Sequence, residues 1–156
     1  MDYIEIKGYK SIKKARVDLT PINILIGANG SGKSNFISFF DFLNKLYNRK
    51  LNEYIALKGG ENKILHKGKK NTDTIAFEIG FGNGQNGYSA SLKSGTDGFV
   101  FLRENLIYRG DPKDISRSGN EAYIKTTDNY KAPYVKKYLS GLRKYHFHDT
   151  SLNSPF

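Results

Sequence analysis

The sequence predicts a mixed α/β protein, and three stretches carry that reading. The first is a glycine-rich loop, Gly27-Ala28-Asn29-Gly30-Ser31-Gly32-Lys33-Ser34, with an apolar strand-like run before it and a helical pattern after it. The second is that helical pattern itself. The third is residues 72–127, where short alternating segments are separated by tight turns, the signature of antiparallel rather than βαβ pairing.

Taken in order, Tyr3-Ile4-Glu5-Ile6-Lys7 reads as a strand ended by Gly8, and residues 8–14 as a basic turn. Ala15-Arg16-Val17-Asp18-Leu19 alternates and reads as a second strand closed by Thr20-Pro21, so a hairpin precedes the glycine loop. Pro21-Ile22-Asn23-Ile24-Leu25-Ile26 is the expected strand leading into that loop.

The loop fits G-x-x-x-x-G-K-[ST] without a mismatch. Glycines at 27, 30 and 32 remove the Cβ atoms that would keep a backbone from wrapping phosphates. Backbone N–H groups of the loop and the helix start can then face an anion. Lys33 supplies a point charge for the β- and γ-phosphates, and the Ser34 hydroxyl is a natural Mg²⁺ ligand. Strand, loop and helix come in the order this chemistry needs. The motif therefore predicts nucleotide binding, with ATP and Mg²⁺ as ligands and Gly27, Ala28, Asn29, Gly30, Ser31, Gly32, Lys33, Ser34 and Asn35 as the contacting residues.

After the loop, Phe36, Phe40, Leu43 and Tyr47 recur at helical steps with Phe39 and Leu46 on the same face, which predicts a helix of about four turns. Leu51 to Leu57 reads as its continuation after a break, stopped by Gly59-Gly60. Ile75, Phe77, Ile79 and Phe81 alternate, as do Tyr88, Ala90 and Leu92, with the hairpin loop 82–87 between them. Further strand character lies at 99–102, 105–108 and 122–125, and 110–120 reads as a polar loop. Ala132-Pro133 can open a short helix ended by Gly141. Residues 142–149 look strand-like.

Composition narrows the functional classes. The chain has 156 residues, 38% of them hydrophobic, which allows one core. It has no cysteine, so disulfides and thiolate metal sites drop out. No run is long enough to cross a membrane and no signal peptide is recognisable, so a cytoplasmic protein is expected. The formal net charge is +10, from 25 Lys and Arg against 15 Asp and Glu. Such an excess favours a polyanionic partner, DNA or RNA, although lysines used for solubility give the same sum.

The residues 8–11, a short strand, and then 23–35 resemble the start of an SMC/RecF/OLD-type ATPase, the ABC-type group often described as "AAA" ATPases. Residues 145–151 are similar to a segment of a predicted-ATPase branch of that group. The resemblance implies an ABC-type head of P-loop NTPase fold, represented by its N-terminal lobe with an antiparallel β subdomain. It implies one partial ATPase domain over residues 1–156. The hairpin, loop strand and helix would occupy 1–58, the antiparallel segment 72–127, and a short helix and last strand 132–156. A C-terminal half would supply what is lacking here. The signature motif, an apolar strand ending in Asp-Glu (the Walker B acid) and the switch histidine are not recognisable, and Leu139-Ser140-Gly141 is at best a fragment of the first. The resemblance further implies ATP hydrolysis coupled to DNA repair or anti-phage defence, and an ATP-dependent homodimer. It also brings Lys10, Lys13 and Lys14, on the turn after the first strand, near the nucleotide, and makes His148 and Asp149 weak candidates for contacting Mg²⁺ or water.

Other constellations are thinner. His146 and His148 would share a strand face and could chelate a metal, but Asp149 would point away. His66, in a basic run at 65–70, reads as a solvated loop residue. A small kinase fits the length but predicts βα alternation and an arginine-rich lid. A GTPase lacks its Asn-Lys-x-Asp motif. A basic nucleic-acid-binding module with a nucleotide switch is the non-enzymatic alternative.

Overall fold

The computed structural model describes residues 1–143. Among the described residues, six strands form one antiparallel sheet. These are β1 (Tyr3–Tyr9), β2 (Ile12–Asp18), β3 (Thr74–Phe81), β4 (Asn86–Ser94), β5 (Phe99–Tyr108) and β6 (Asp111–Asp114), in the spatial order β2-β1-β3-β4-β5-β6. The described residues also hold four helices, three between β2 and β3 and one after β6: α1 (Lys33–Tyr47), α2 (Leu51–Leu57), α3 (Glu61–Ile64) and α4 (Ala132–Ser140). The N-terminal hairpin is continuous with the later meander, because β1 pairs β3 with Ile4 opposite Ile79 and Ile6 opposite Phe77.

Alternation sorts the sheet's two faces. Ile4, Ile6, Ile75, Phe77, Ile79, Tyr88, Ala90 and Leu92 point to the core, and the helices pack there. Helix α1 presents Phe39, Phe42, Leu43 and Leu46, all fully buried. Each stabilises the fold by roughly 1.5–3 kcal/mol. Phe39 meets Tyr9 edge-on at 4.9 Å and Phe77 at 5.5 Å, which locks the helix over β1 and β3. The buried stripe is thus turned from the one read in the sequence. Phe36 and Phe40 are only half-buried and pack edge-to-face on each other at 5.5 Å.

Several expected elements differ. Gly8 does not end β1; it continues the strand at φ 75°, and a Cβ there would collide with the Thr74 carbonyl. The turn therefore shrinks to Lys10-Ser11. The segments at 99–102 and 105–108 are one strand, since β5 runs through Arg103 and Glu104 with only a bulge between Ser91 and Leu92 of β4. The polar stretch 110–120 contains β6. Residues 122–125 are a turn, not a strand, for a reason given by one side chain. Glu104 is 1% exposed, and its carboxylate accepts the N–H groups of Tyr123 (2.8 Å) and Ile124 (2.7 Å) and the Tyr88 hydroxyl (2.8 Å). Backbone groups held this way are withdrawn from a ladder.

The largest departure is at 21–26, which forms no strand. Its backbone is irregular, with Ile22 81% and Ile26 90% exposed. A run that is apolar on both faces needs neighbours on both edges and layers on both sides. Among the described residues none are supplied, so the segment borders a groove walled by Val17, Leu19, Phe36, Ile37 and Phe40. Of the expected last strand at 142–149, Leu142 and Arg143 are not in a strand, and residues 144–149 lie outside the described residues.

Candidate functional site

The glycine loop joins segment 20–26 to α1. Its entrance is shaped by Asn23, whose side chain accepts the Thr20 N–H (3.0 Å) and donates to the Thr20 carbonyl (2.6 Å). Within the loop, Gly30 and Gly32 adopt φ of 83° and 96°, left-handed values that only glycine takes at little cost. Gly32 is the residue before α1, and its carbonyl accepts the first helical bond from the Phe36 N–H at 2.9 Å. It has no side chain to cap the helix, and the first turn carries no acidic residue. The N–H groups opening α1 and the positive end of its dipole therefore meet neither a side-chain cap nor a fixed negative charge.

Lys33 folds back over the loop. Its ammonium donates to the carbonyls of Gly27 (2.5 Å) and Ala28 (2.7 Å) and to Ser31 Oγ (3.2 Å). Ser31 N–H donates to the Ala28 carbonyl at 3.3 Å, closing the turn. Ser34 is exposed one position further on. Charge, open N–H groups and a hydroxyl thus come together within eight residues, a donor set that fits a polyphosphate and a hard cation.

The β1–β2 turn props the far side of the loop. Asn35 Nδ2 donates to Ser11 Oγ at 2.8 Å, and a Cβ at position 32 would sit 3.2 Å from the same oxygen. Lys10 has φ 48°; its ammonium donates to Ser38 Oγ (2.9 Å) and lies 5.2 Å from the centre of the Tyr9 ring. Tyr9 shares Ser38 through its own hydroxyl at 3.0 Å, and burial drives its phenol well above its ordinary range. Lys10 and Asn35 line a shallow depression together with Asn62, Lys63 and Lys67. Of the three lysines expected near the loop, Lys10 is thus docked on α1. Lys13 and Lys14 stand exposed on β2, with Lys14 opposite Lys7 in the ladder.

Two contributors escaped the sequence. Ser11 is an ordinary turn residue until the hairpin sets it against Asn35. His66 is half-buried rather than solvated: its N–H donates to the Gly8 carbonyl at 3.0 Å, and its Nδ1 lies 2.8 Å from the Lys10 carbonyl. It thereby fixes the turn that carries Lys10 and Ser11. No local pattern announces either contact. His146, His148 and Asp149 lie outside the described residues. Among the described residues no group of three His, Cys, Asp or Glu side chains could hold a metal.

A family model for the AAA ATPase domain matches residues 1–153. The chain therefore belongs to the AAA ATPase domain family, as the N-terminal region of an ATPase of the AAA/ABC type. Family membership carries ATP binding and hydrolysis as the general activity. No curated protein matches the chain. No helix among the described residues is long and apolar enough to cross a membrane.

Proposed function

We propose that residues 27–35 bind the phosphates of ATP with Mg²⁺, and that the chain is the ATP-binding lobe of an SMC/RecF-like ATPase with a P-loop NTPase fold. The observation that carries this reading is Lys33. Its ammonium satisfies itself on two loop carbonyls and one hydroxyl, neutral acceptors that an anionic phosphate oxygen can replace while also neutralising the charge. The N–H groups at the start of α1 hold the phosphate oxygens, and Ser34 offers its hydroxyl to the cation. Mg²⁺ held at the Ser34 hydroxyl would supply positive charge to offset the negative charge of the phosphates. Lys10 and Asn35, fixed through Ser38 and Ser11, flank the same helix start and set where the nucleotide can extend.

The finer reading includes an ATP-dependent homodimer and DNA-related work in repair or anti-phage defence. The exposed apolar segment 20–26 supports the view that further structure completes the site, and the +10 charge supports a polyanionic partner. Calorimetric titration of ATP with Mg²⁺ into the chain and its Lys33→Ala variant tests the central point. Affinity should drop about tenfold or more in the variant, the loss of one charge-assisted contact. Equal affinity would move the phosphate site elsewhere.

A further inference from the structure

A second surface, apart from the loop, combines aromatic rings with cations. Tyr130, Tyr134 and Tyr138 are 82%, 63% and 39% exposed and lie four residues apart at and along α4, whose opposite face buries Ala132, Val135 and Leu139. Tyr138 stacks on Phe81 at 4.2 Å and 13°. At the other end Lys131 bridges two rings, its ammonium 5.1 Å from Tyr108 and 5.7 Å from Tyr130, while Arg109 lies 5.3 Å from Tyr108. Phe81, Asn86 and Tyr108 are register partners across β3, β4 and β5, so the helix lies across one end of the sheet and its tyrosines form a row there. Residues 129–143 carry Lys131, Lys136, Lys137 and Arg143 and no carboxylate.

From this we infer that the α4 tyrosine row is a binding surface for single-stranded nucleic acid, with bases on Tyr130 and Tyr134 and phosphates on Lys131 and Lys137. The inference goes beyond the nucleotide-loop reading and shares no residue with it. Large exposed rings beside cations, with no acid on the helix, suit a ligand that is both aromatic and anionic. Tyr130 precedes α4, and Tyr134 and Tyr138 lie one helical turn apart along it, a rise of about 6 Å that is wider than the roughly 3.4 Å step of a stacked strand. A single strand can turn its bases out onto such rings, whereas in a duplex neighbouring base pairs cover the base faces.

The test uses fluorescence anisotropy of the full chain with three probes at low salt: a labelled oligothymidylate, a labelled duplex of equal length, and inorganic polyphosphate as competitor. The oligothymidylate should bind more tightly than the duplex, and polyphosphate of matched charge should displace it poorly. Tyr134→Ala should weaken binding about tenfold, with Tyr134→Phe close to wild type because the ring is kept. Lys131→Ala should weaken it and lessen its salt dependence. Circular dichroism checks that these exposed substitutions leave the fold intact. Equal displacement by polyphosphate, or Tyr130→Ala and Tyr134→Ala proteins that bind like wild type, would reduce the surface to plain charge and overturn the inference. So would tyrosine variants that change only the sedimentation behaviour, since the row would then be covered by a second copy of the chain.

Discussion

Replacing Glu104 by Leu should cost the protein about 3–5 kcal/mol. The carboxylate is buried without a cation and is tolerated because three donors converge on it: the Tyr88 hydroxyl and the N–H groups of Tyr123 and Ile124. Leucine keeps the volume and removes the acceptor. Tyr88 and Ile124 are fully buried, so their donors are left without water, at about 1–3 kcal/mol each. Tyr123 is half-buried and can regain part of its bond from solvent, so it adds less. The turn they hold buries Ala122 and Ile124, and releasing it loosens that packing too. Against a total of about 5–15 kcal/mol for a domain, the loss is large. Urea unfolding followed by circular dichroism measures it. Adding Tyr88→Phe to the Leu variant removes one orphaned donor and should recover about 1–3 kcal/mol. A loss below about 1 kcal/mol, or no recovery in the double variant, would refute the view that Glu104 staples residues 122–127 to the sheet.

Burial raises the Glu104 carboxyl above its ordinary value of 4.5, with its three hydrogen bonds opposing the shift. Stability from this group is then fully present below the unfolded-state value and is lost as pH rises through the folded one. The unfolding free energy of wild type relative to Glu104→Gln should therefore fall as pH rises through that window, and a flat difference would show that the proton is not linked to folding. Gly8→Ala forces a Cβ onto the Thr74 carbonyl at a left-handed φ. The cost should be at least about 2 kcal/mol, read as a melting temperature lowered by about 4–8 °C. An unchanged melting point would mean that β1 and β3 can separate there freely. The 156-residue chain should bind ATP yet release phosphate far more slowly than about one per second, the low end for working enzymes, because the strand ending in Asp-Glu that would orient water is not recognisable in its sequence. Faster turnover that Lys33→Ala abolishes would show that the catalytic set is already complete.

What the sequence made legible was local. The loop, the helix after it and the tight turns of the meander depend on residues within a few positions of one another, and glycine, proline and alternation report such needs directly. The rest depends on distant partners. Segment 21–26 has every local mark of a strand, but a strand apolar on both faces is specified by neighbours its own residues do not contain. The turn at 122–125 has strand-like Tyr123 and Ile124, yet Glu104, some twenty residues away, claims their N–H groups. Ser11 matters only because the hairpin turn meets α1 at Asn35, and His66 only because the segment after α3 meets that turn at Gly8 and Lys10. No periodicity encodes that meeting.

The same distinction governs how the candidate site would work. On the α1 side the loop is held firmly: Phe39 and Phe42 are packed against Tyr9, Asn35 is tied to Ser11, and Ser38 to Lys10 and Tyr9. On the other side it continues into exposed, irregular backbone. On the proposed reading, any rearrangement of this irregular segment that phosphate binding required would subtract from the affinity its hydrogen bonds provide. Any strand that packs on Ile22, Ile24 and Ile26 would meet this cost beforehand, and would tighten nucleotide binding without touching the nucleotide. Coupling of this kind is reciprocal, so a nucleotide that orders the loop also prepares the apolar segment for its neighbour. On the proposed reading, the loop would be a point where nucleotide binding and the packing of a neighbour on segment 21–26 share one equilibrium.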